Sequence, residues 1–122
     1  MKREVLLITT DAAGAATVNG TRNILGKLFA ILYMPGTIAT GATVTVTSQG
    51  VSARALLTKA NAGTADTVYY PRDLVHGVAD GVALTGTAGG DRALPLIIGT
   101  LRVVVASGGN VTSGSLVVVY ED

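Results

Sequence analysis

The stretch Gly99-Thr-Leu-Arg-Val-Val-Val-Ala-Ser-Gly-Gly-Asn-Val-Thr-Ser-Gly-Ser-Leu-Val-Val-Val-Tyr120 decides the fold class. Two β-branched arms flank a Gly/Ser/Asn-rich link, and Gly108-Gly109-Asn110 supplies turn chemistry between them. The spacing predicts a long β-hairpin. Along the first arm, Leu101, Val103 and Val105 share one face, with Val104 and Ala106 on the other. Along the second, Leu116, Val118 and Tyr120 share one face and Val117 and Val119 the other. A strand that is apolar on both faces is buried on both. In a small chain the second cover can come from another molecule. Val104, Val117 and Val119 are therefore expected at a contact between subunits.

Outward from this stretch the same texture continues. Val5 to Thr10 reads as a strand, Asp11 to Gly14 as a turn, and Asn19-Gly20 as a second hairpin turn between short extended runs. Leu25 to Tyr33 suits helix or strand by composition. Gly26 at its start and Pro35-Gly36 at its end make it too short for an ordinary helix and favour a buried strand. Thr43-Val-Thr-Val-Thr47 alternates strictly, with Val44 and Val46 inward. Ala53 to Thr58 is a further strand with a bend expected at Arg54. Lys59 to Asp66 is a loop, and Thr67 to Tyr70 a short strand stopped by Pro71. Arg72 to Asp80 suits at most one helical turn, Val82 to Thr85 a short strand, and Ala93 to Ile98 an extended segment in which Pro95 donates no hydrogen bond. About eight to ten short strands with Gly-rich turns predict an all-β, jelly-roll-like sandwich, with an immunoglobulin-like sandwich as the alternative. One domain over residues 1–122 is expected, residues 1–11 serving as an extended N-terminal arm or an edge strand.

Composition narrows the function. The 122 residues include no cysteine, so neither a disulfide framework nor a thiolate metal site is available. Charged residues make up 14% and the net charge is +1, with the cations scattered, which speaks against nucleic-acid binding. The longest apolar run, Leu28 to Met34, has seven residues, whereas a spanning helix needs about 20. Lys2 and Arg3 precede only four apolar residues, Val5 to Ile8, too few for a signal peptide, so an unprocessed protein made inside the cell is expected. No membrane partner is expected.

Catalytic motifs are weakly represented. His76 is the one histidine, and a site built from several imidazoles is out of reach. With Asp73 and Asp80 it forms at most one side of a loop. No Gly-x-Ser-x-Gly elbow occurs, and Ser107, Ser113 and Ser115 lie in or beside turn text. Gly86 to Arg92 lacks the spacing and the Lys-Ser/Thr of a phosphate loop. It reads as a connection on which Asp91 and Arg92 offer opposite charges to a neighbouring chain. Tyr69-Tyr70-Pro71-Arg72 is the aromatic cluster, with one tyrosine expected inward and one outward, beside Arg72, as an interface anchor. No enzyme activity and no cofactor are expected.

The runs Leu56-Leu-Thr-Lys-Ala-Asn-Ala-Gly-Thr-Ala-Asp66, Tyr69 to Arg72, Ala83-Leu-Thr-Gly-Thr-Ala-Gly-Gly-Asp-Arg92 and Arg102-Val-Val-Val-Ala-Ser-Gly-Gly-Asn110 resemble small structural proteins of tailed bacteriophages. The likeness extends over roughly residues 25–120. Such proteins are typically encoded beside the major capsid protein. The resemblance implies a capsid decoration, or cement, protein: a β-sandwich bound as a homodimer or homotrimer to the exterior of an HK97-fold shell, with the major capsid protein as partner. It implies a virion protein made in the host cytoplasm. A tail or head–tail connector protein, a receptor- or carbohydrate-binding β module and a small cupin-like enzyme are the alternatives.

Overall fold

A computed structural model describes residues 1–50, 53–74 and 92–121. Eleven strands are found among them, and every pairing is antiparallel. They are β1 (Lys2–Thr9), β2 (Ala16–Asn19), β3 (Ile24–Met34), β4 (Thr43–Gln49), β5 (Ala53–Lys59), β6 (Thr67–Tyr69), β7 (Asp73–Leu74), β8 (Arg92–Ala93), β9 (Leu96–Gly99), β10 (Leu101–Ala106) and β11 (Ser113–Glu121). The larger sheet has the order β1-β11-β3-β6, with β9 also paired to β3. The smaller has the order β2-β10-β4-β5, and β7 pairs with β8 in a separate ribbon. Successive strands β1 to β4 alternate between the sheets, and so do β10 and β11. The result is the all-β, jelly-roll-like sandwich that the strand spacing predicts.

Alternation places the core. Leu6 and Ile8 of β1, Leu28, Ile31 and Tyr33 of β3, and Leu116, Val118 and Tyr120 of β11 point inward from the larger sheet. Val44 and Val46 of β4, Leu56 of β5, and Leu101, Val103 and Val105 of β10 meet them from the smaller. Tyr69 is half-buried against this core and Tyr70 is exposed, the expected division of that pair. Two strands carry an extra residue. Ala30 pairs Val119 and Leu28 pairs Tyr120, so Phe29 bulges. Leu57 pairs Val46 and Ala55 pairs Thr47, so the bend in β5 falls at Leu56 rather than at Arg54.

The expected terminal hairpin is not formed. β10 lies between β2 and β4 in the smaller sheet, and β11 lies between β1 and β3 in the larger. The link over 107–112 is an arch from one sheet to the other, with Ser107, Gly109 and Val111 at positive φ. It is held from both sides: Gly108 N–H donates to Gly14 O at 2.8 Å, and Ala39 N–H donates to Gly108 O at 2.9 Å. A Cβ on Gly14, whose φ is +83°, would stand 2.8 Å from the backbone nitrogens of Gly108 and Gly109, so the close approach requires glycine. Thr10, buried, ties the arch down: its Oγ1 accepts from Thr112 N–H at 2.8 Å and lies 2.9 Å from Gly109 O. The Asn19-Gly20 hairpin is likewise absent. β2 ends at Asn19, Gly20 N–H donates to Leu101 O at 2.7 Å, and the chain crosses to the larger sheet as β3. Residues 1–11 contribute the edge strand β1 rather than a free arm.

Candidate interaction surface

The outward faces of the two sheets differ in chemistry. On the smaller sheet, Thr17, Val104 and Thr45 are cross-strand neighbours, and Asn19, Arg102 and Thr47 form the adjoining row. This face is hydroxyl-rich, and Val104, 37% exposed, is an isolated aliphatic residue in it. On the larger sheet, Val5, Val117, Leu32 and Val68 form one unbroken apolar row across β1, β11, β3 and β6. Arg3, Val119 and Ala30 form the row beside it, and Leu7, Ser115 and Met34 the row on the other side. At the β9 end, Leu25 pairs Ile98 and Lys27 pairs Leu96.

Much of this face is open. Leu7 is 73% and Leu25 71% exposed, and Val5, Val68, Leu96 and Ile98 are exposed as well. Val117 is only 8% exposed because its ladder neighbours Val5 and Leu32 flank it within the sheet. Contiguous exposed apolar surface is a common feature of contact sites. Two shallow grooves mark its ends. One of about 520 Å³ is bordered by Leu7, Met34, Asp66, Ser113 and Ser115, and one of about 250 Å³ by Leu25, Lys27, Leu96 and Glu121.

An aromatic corner stands beside β6. The rings of Phe29 and Tyr70 meet edge to face at 6.4 Å. The Arg72 guanidinium lies 5.8 Å from the Phe29 ring centre and 5.9 Å from that of Tyr70, and its Nη1 donates to Phe29 O at 2.9 Å. Arg72 is thus held by its own chain, presenting Tyr70 outward at the rim of the apolar face.

The structure therefore separates the expected contact residues. Val117, Val119, Tyr70 and Arg72 belong to the larger sheet or its rim. Val104 lies on the opposite side of the sandwich, because β10 and β11 enter different sheets; the three valines do not form one surface. Tyr69 is turned toward the core. Arg92 opens β8, while Asp91, His76, Asp80 and most of the Gly86–Arg92 connection lie outside the described residues. Val5, Leu7, Leu25, Val68 and Ile98 are additions. Their signal was available: Val5-Leu6-Leu7-Ile8 is apolar in both parities, as is the region around Leu25 and Ile98.

Among the described residues the buried polar or charged ones are Glu4, Thr10 and Ser48. On β1, Glu4 shares the inward parity of Leu6 and Ile8; its Oε2 accepts from Arg22 N–H at 3.3 Å, and its Oε1 has no partner among the described residues. Tyr33, at the floor of the core, is 1% exposed, and its hydroxyl likewise has no partner there. Burial, and secondarily the neighbouring Tyr69, pushes its pKa above the ordinary 10.0. Among the described residues, no three His, Cys, Asp or Glu side chains are grouped as metal ligands would be. No family model matches the chain, and no curated protein or solved structure matches it significantly.

Proposed function

We propose that this protein is a virion structural protein of a tailed bacteriophage, a capsid decoration protein that binds the exterior of the shell and bridges neighbouring capsomers. It acts without catalysis or cofactor, as an oligomer of identical copies. The observation that carries this reading is the apolar outward face of the larger sheet, from Val5 and Leu7 across Val117 and Leu32 to Val68. A rigid jelly roll presents that face as a preformed plane, so docking costs little ordering of the backbone. The hydroxyl-rich face of the smaller sheet, with one isolated valine, suits the side left in water. Resemblance of the loop and strand text to small phage head proteins supplies the virion setting. Repetition around a closed shell turns a modest contact per copy into strong retention.

Binding to shells tests the geometry. Leu25→Asp/Val68→Asp places two charges on the larger sheet's outer face, and Val104→Asp places one on the smaller's. All three side chains are exposed, so the fold is expected to survive. In cosedimentation with shells assembled from the major capsid protein alone, the double variant is expected to lose binding and Val104→Asp to keep it. The opposite pattern, or binding by neither the variants nor the original chain, overturns the proposal.

A further inference from the structure

The edges of the two sheets are unequal. β2 has four residues and β6 three, with Pro71 shortly beyond. β9 has four residues, and β5 is interrupted by the bulge at Leu56. Short strands, proline and bulges are the usual protections of a sheet edge. β1 has none of these three, and the charges that can also guard an edge, Lys2, Arg3 and the inward Glu4, are confined to its first three residues. It runs eight residues, without proline, in unbroken register with β11 from Lys2↔Tyr120 to Thr9↔Ser113. Among the described residues no strand pairs its other side. In an antiparallel ladder, alternate residues of an edge strand turn their N–H and C=O groups away from the sheet. β1 therefore offers a template, on the order of 25 Å long, for one more strand.

We propose that the added strand is β1 of a second copy, paired antiparallel about a two-fold axis through Leu6, so that the larger sheets of two copies become one. Register argues for a copy. About Leu6, Val5 of each copy stands opposite Leu7 of the other, and the two exposed apolar side chains of the strand cover each other twice. Charge agrees: Lys2 and Arg3 fall opposite Thr10 and Thr9, so no like charges face each other across the new ladder. The neighbouring registers are poorer. An axis at Val5 sets Arg3 against Leu7. An axis at Leu7 sets Val5 against Thr9 and runs the pairing into Asp11, whose Oδ1 already accepts from Ala13 N–H and Ala15 N–H to close a turn. A one-residue slip would set inward side chains against outward ones. The join also carries the apolar row from Val68 to Val5 across the axis onto Leu7 of the second copy, so that the outer faces of the two larger sheets abut. The inference deepens the homo-oligomer part of the function proposed above and needs no shell for its test.

The chain has no cysteine, so introduced thiols report the register directly. Directly opposite Cβ atoms in such a ladder lie roughly 4.5–5.5 Å apart, near disulfide range, and diagonal ones about 7–8 Å apart, beyond it. Val5→Cys and Leu7→Cys are made separately, each checked for an unchanged thermal transition, then mixed and refolded together and oxidised. The unmodified protein is expected to sediment as twice 12.3 kDa. About half of the dimers in the mixture pair the two variants, and these are expected to cross-link, while either variant alone does not. Cross-linking of Leu7→Cys alone, or of Val5→Cys alone, places the axis elsewhere and overturns the proposal. So does a monomer at micromolar concentration. Shell binding by such a monomer would leave the decoration reading standing while this inference fell.

Discussion

Tyr33→Phe should stabilise this protein, against the usual outcome of deleting a hydroxyl. Tyr33 is the penultimate residue of β3, with Leu116 opposite it on β11 and Thr67 opposite it on β6. It is 1% exposed, and its oxygen meets no donor or acceptor among the described residues. A hydroxyl that keeps a hydrogen bond in the fold contributes about 1 kcal/mol, whereas one buried without a partner costs roughly 1–3 kcal/mol in lost hydration. Phenylalanine retains the ring and its packing and leaves a gap of one oxygen atom. The net gain is therefore about 1 kcal/mol. With a urea m-value of roughly 2 kcal/mol per molar, the unfolding midpoint should rise by about 0.5 M at unchanged slope. Alkaline unfolding supplies an independent reading. Tyr33 ionises above 10.0 in the fold, and at the ordinary 10.0 once unfolded. The contribution linked to its raised pKa is complete below pH 10 and is lost as pH climbs past it, since only the unfolded chain then readily releases the proton. In Tyr33→Phe that loss is absent, so its alkaline limb should lie at higher pH. A midpoint lowered by the equivalent of 1 kcal/mol would show that the hydroxyl has a partner and would refute the reasoning.

Two further substitutions probe how the sheets are joined. Thr10→Val keeps the shape of a buried side chain but removes the oxygen that accepts from Thr112 N–H and approaches Gly109 O and Thr112 Oγ1. Equilibrium unfolding should record a loss of about 2 kcal/mol, and a change under 0.5 kcal/mol would mean that the arch does not depend on Thr10. Gly114→Ala would bring a Cβ to 2.6 Å from Pro35 O and 2.8 Å from Met34 O, both backbone atoms that must move. A fall in stability of roughly 1–3 kcal/mol is expected by thermal denaturation, and an unchanged midpoint would show that the crossing of β11 over the Pro35 turn is looser than the structure has it.

Much of this architecture is legible in the residues themselves, because a period of two reports which face a side chain takes. Val44 and Val46, Leu101, Val103 and Val105, and Leu116, Val118 and Tyr120 all point inward as their alternation requires. Pro35-Gly36 closes an extended β3 as expected, whereas Gly26 lies inside the strand, paired with Ile97, and the strand begins at Ile24. Strand partnership was not legible. Gly108-Gly109-Asn110 states that the chain reverses, and both a hairpin and an arch meet that condition. The choice was made by contacts remote in sequence, Gly108 with Gly14 and Ala39 and Thr10 with Thr112, which no local pattern encodes. Reading an arch as a hairpin carried a second error: it put Val104 on the same surface as Val117 and Val119. Glu4 was the reverse case, since its parity with Leu6 and Ile8 marks it as inward although its charge suggests the surface. Leu7 and Leu25 carried the same signal as Val117, apolar text in both parities, but which apolar face is left without a cover is decided by the sheet each strand joins.

The copy number of this protein in the particle tests the central claim most directly. Virions are purified, and the protein and the major capsid protein are quantified together by mass spectrometry against labelled standards. A decoration protein should be present in a small fixed ratio to the major capsid protein and should follow it when heads are separated from tails. A number matching a single closed ring of subunits, enrichment with the tail fraction, or absence from the particle would contradict the account.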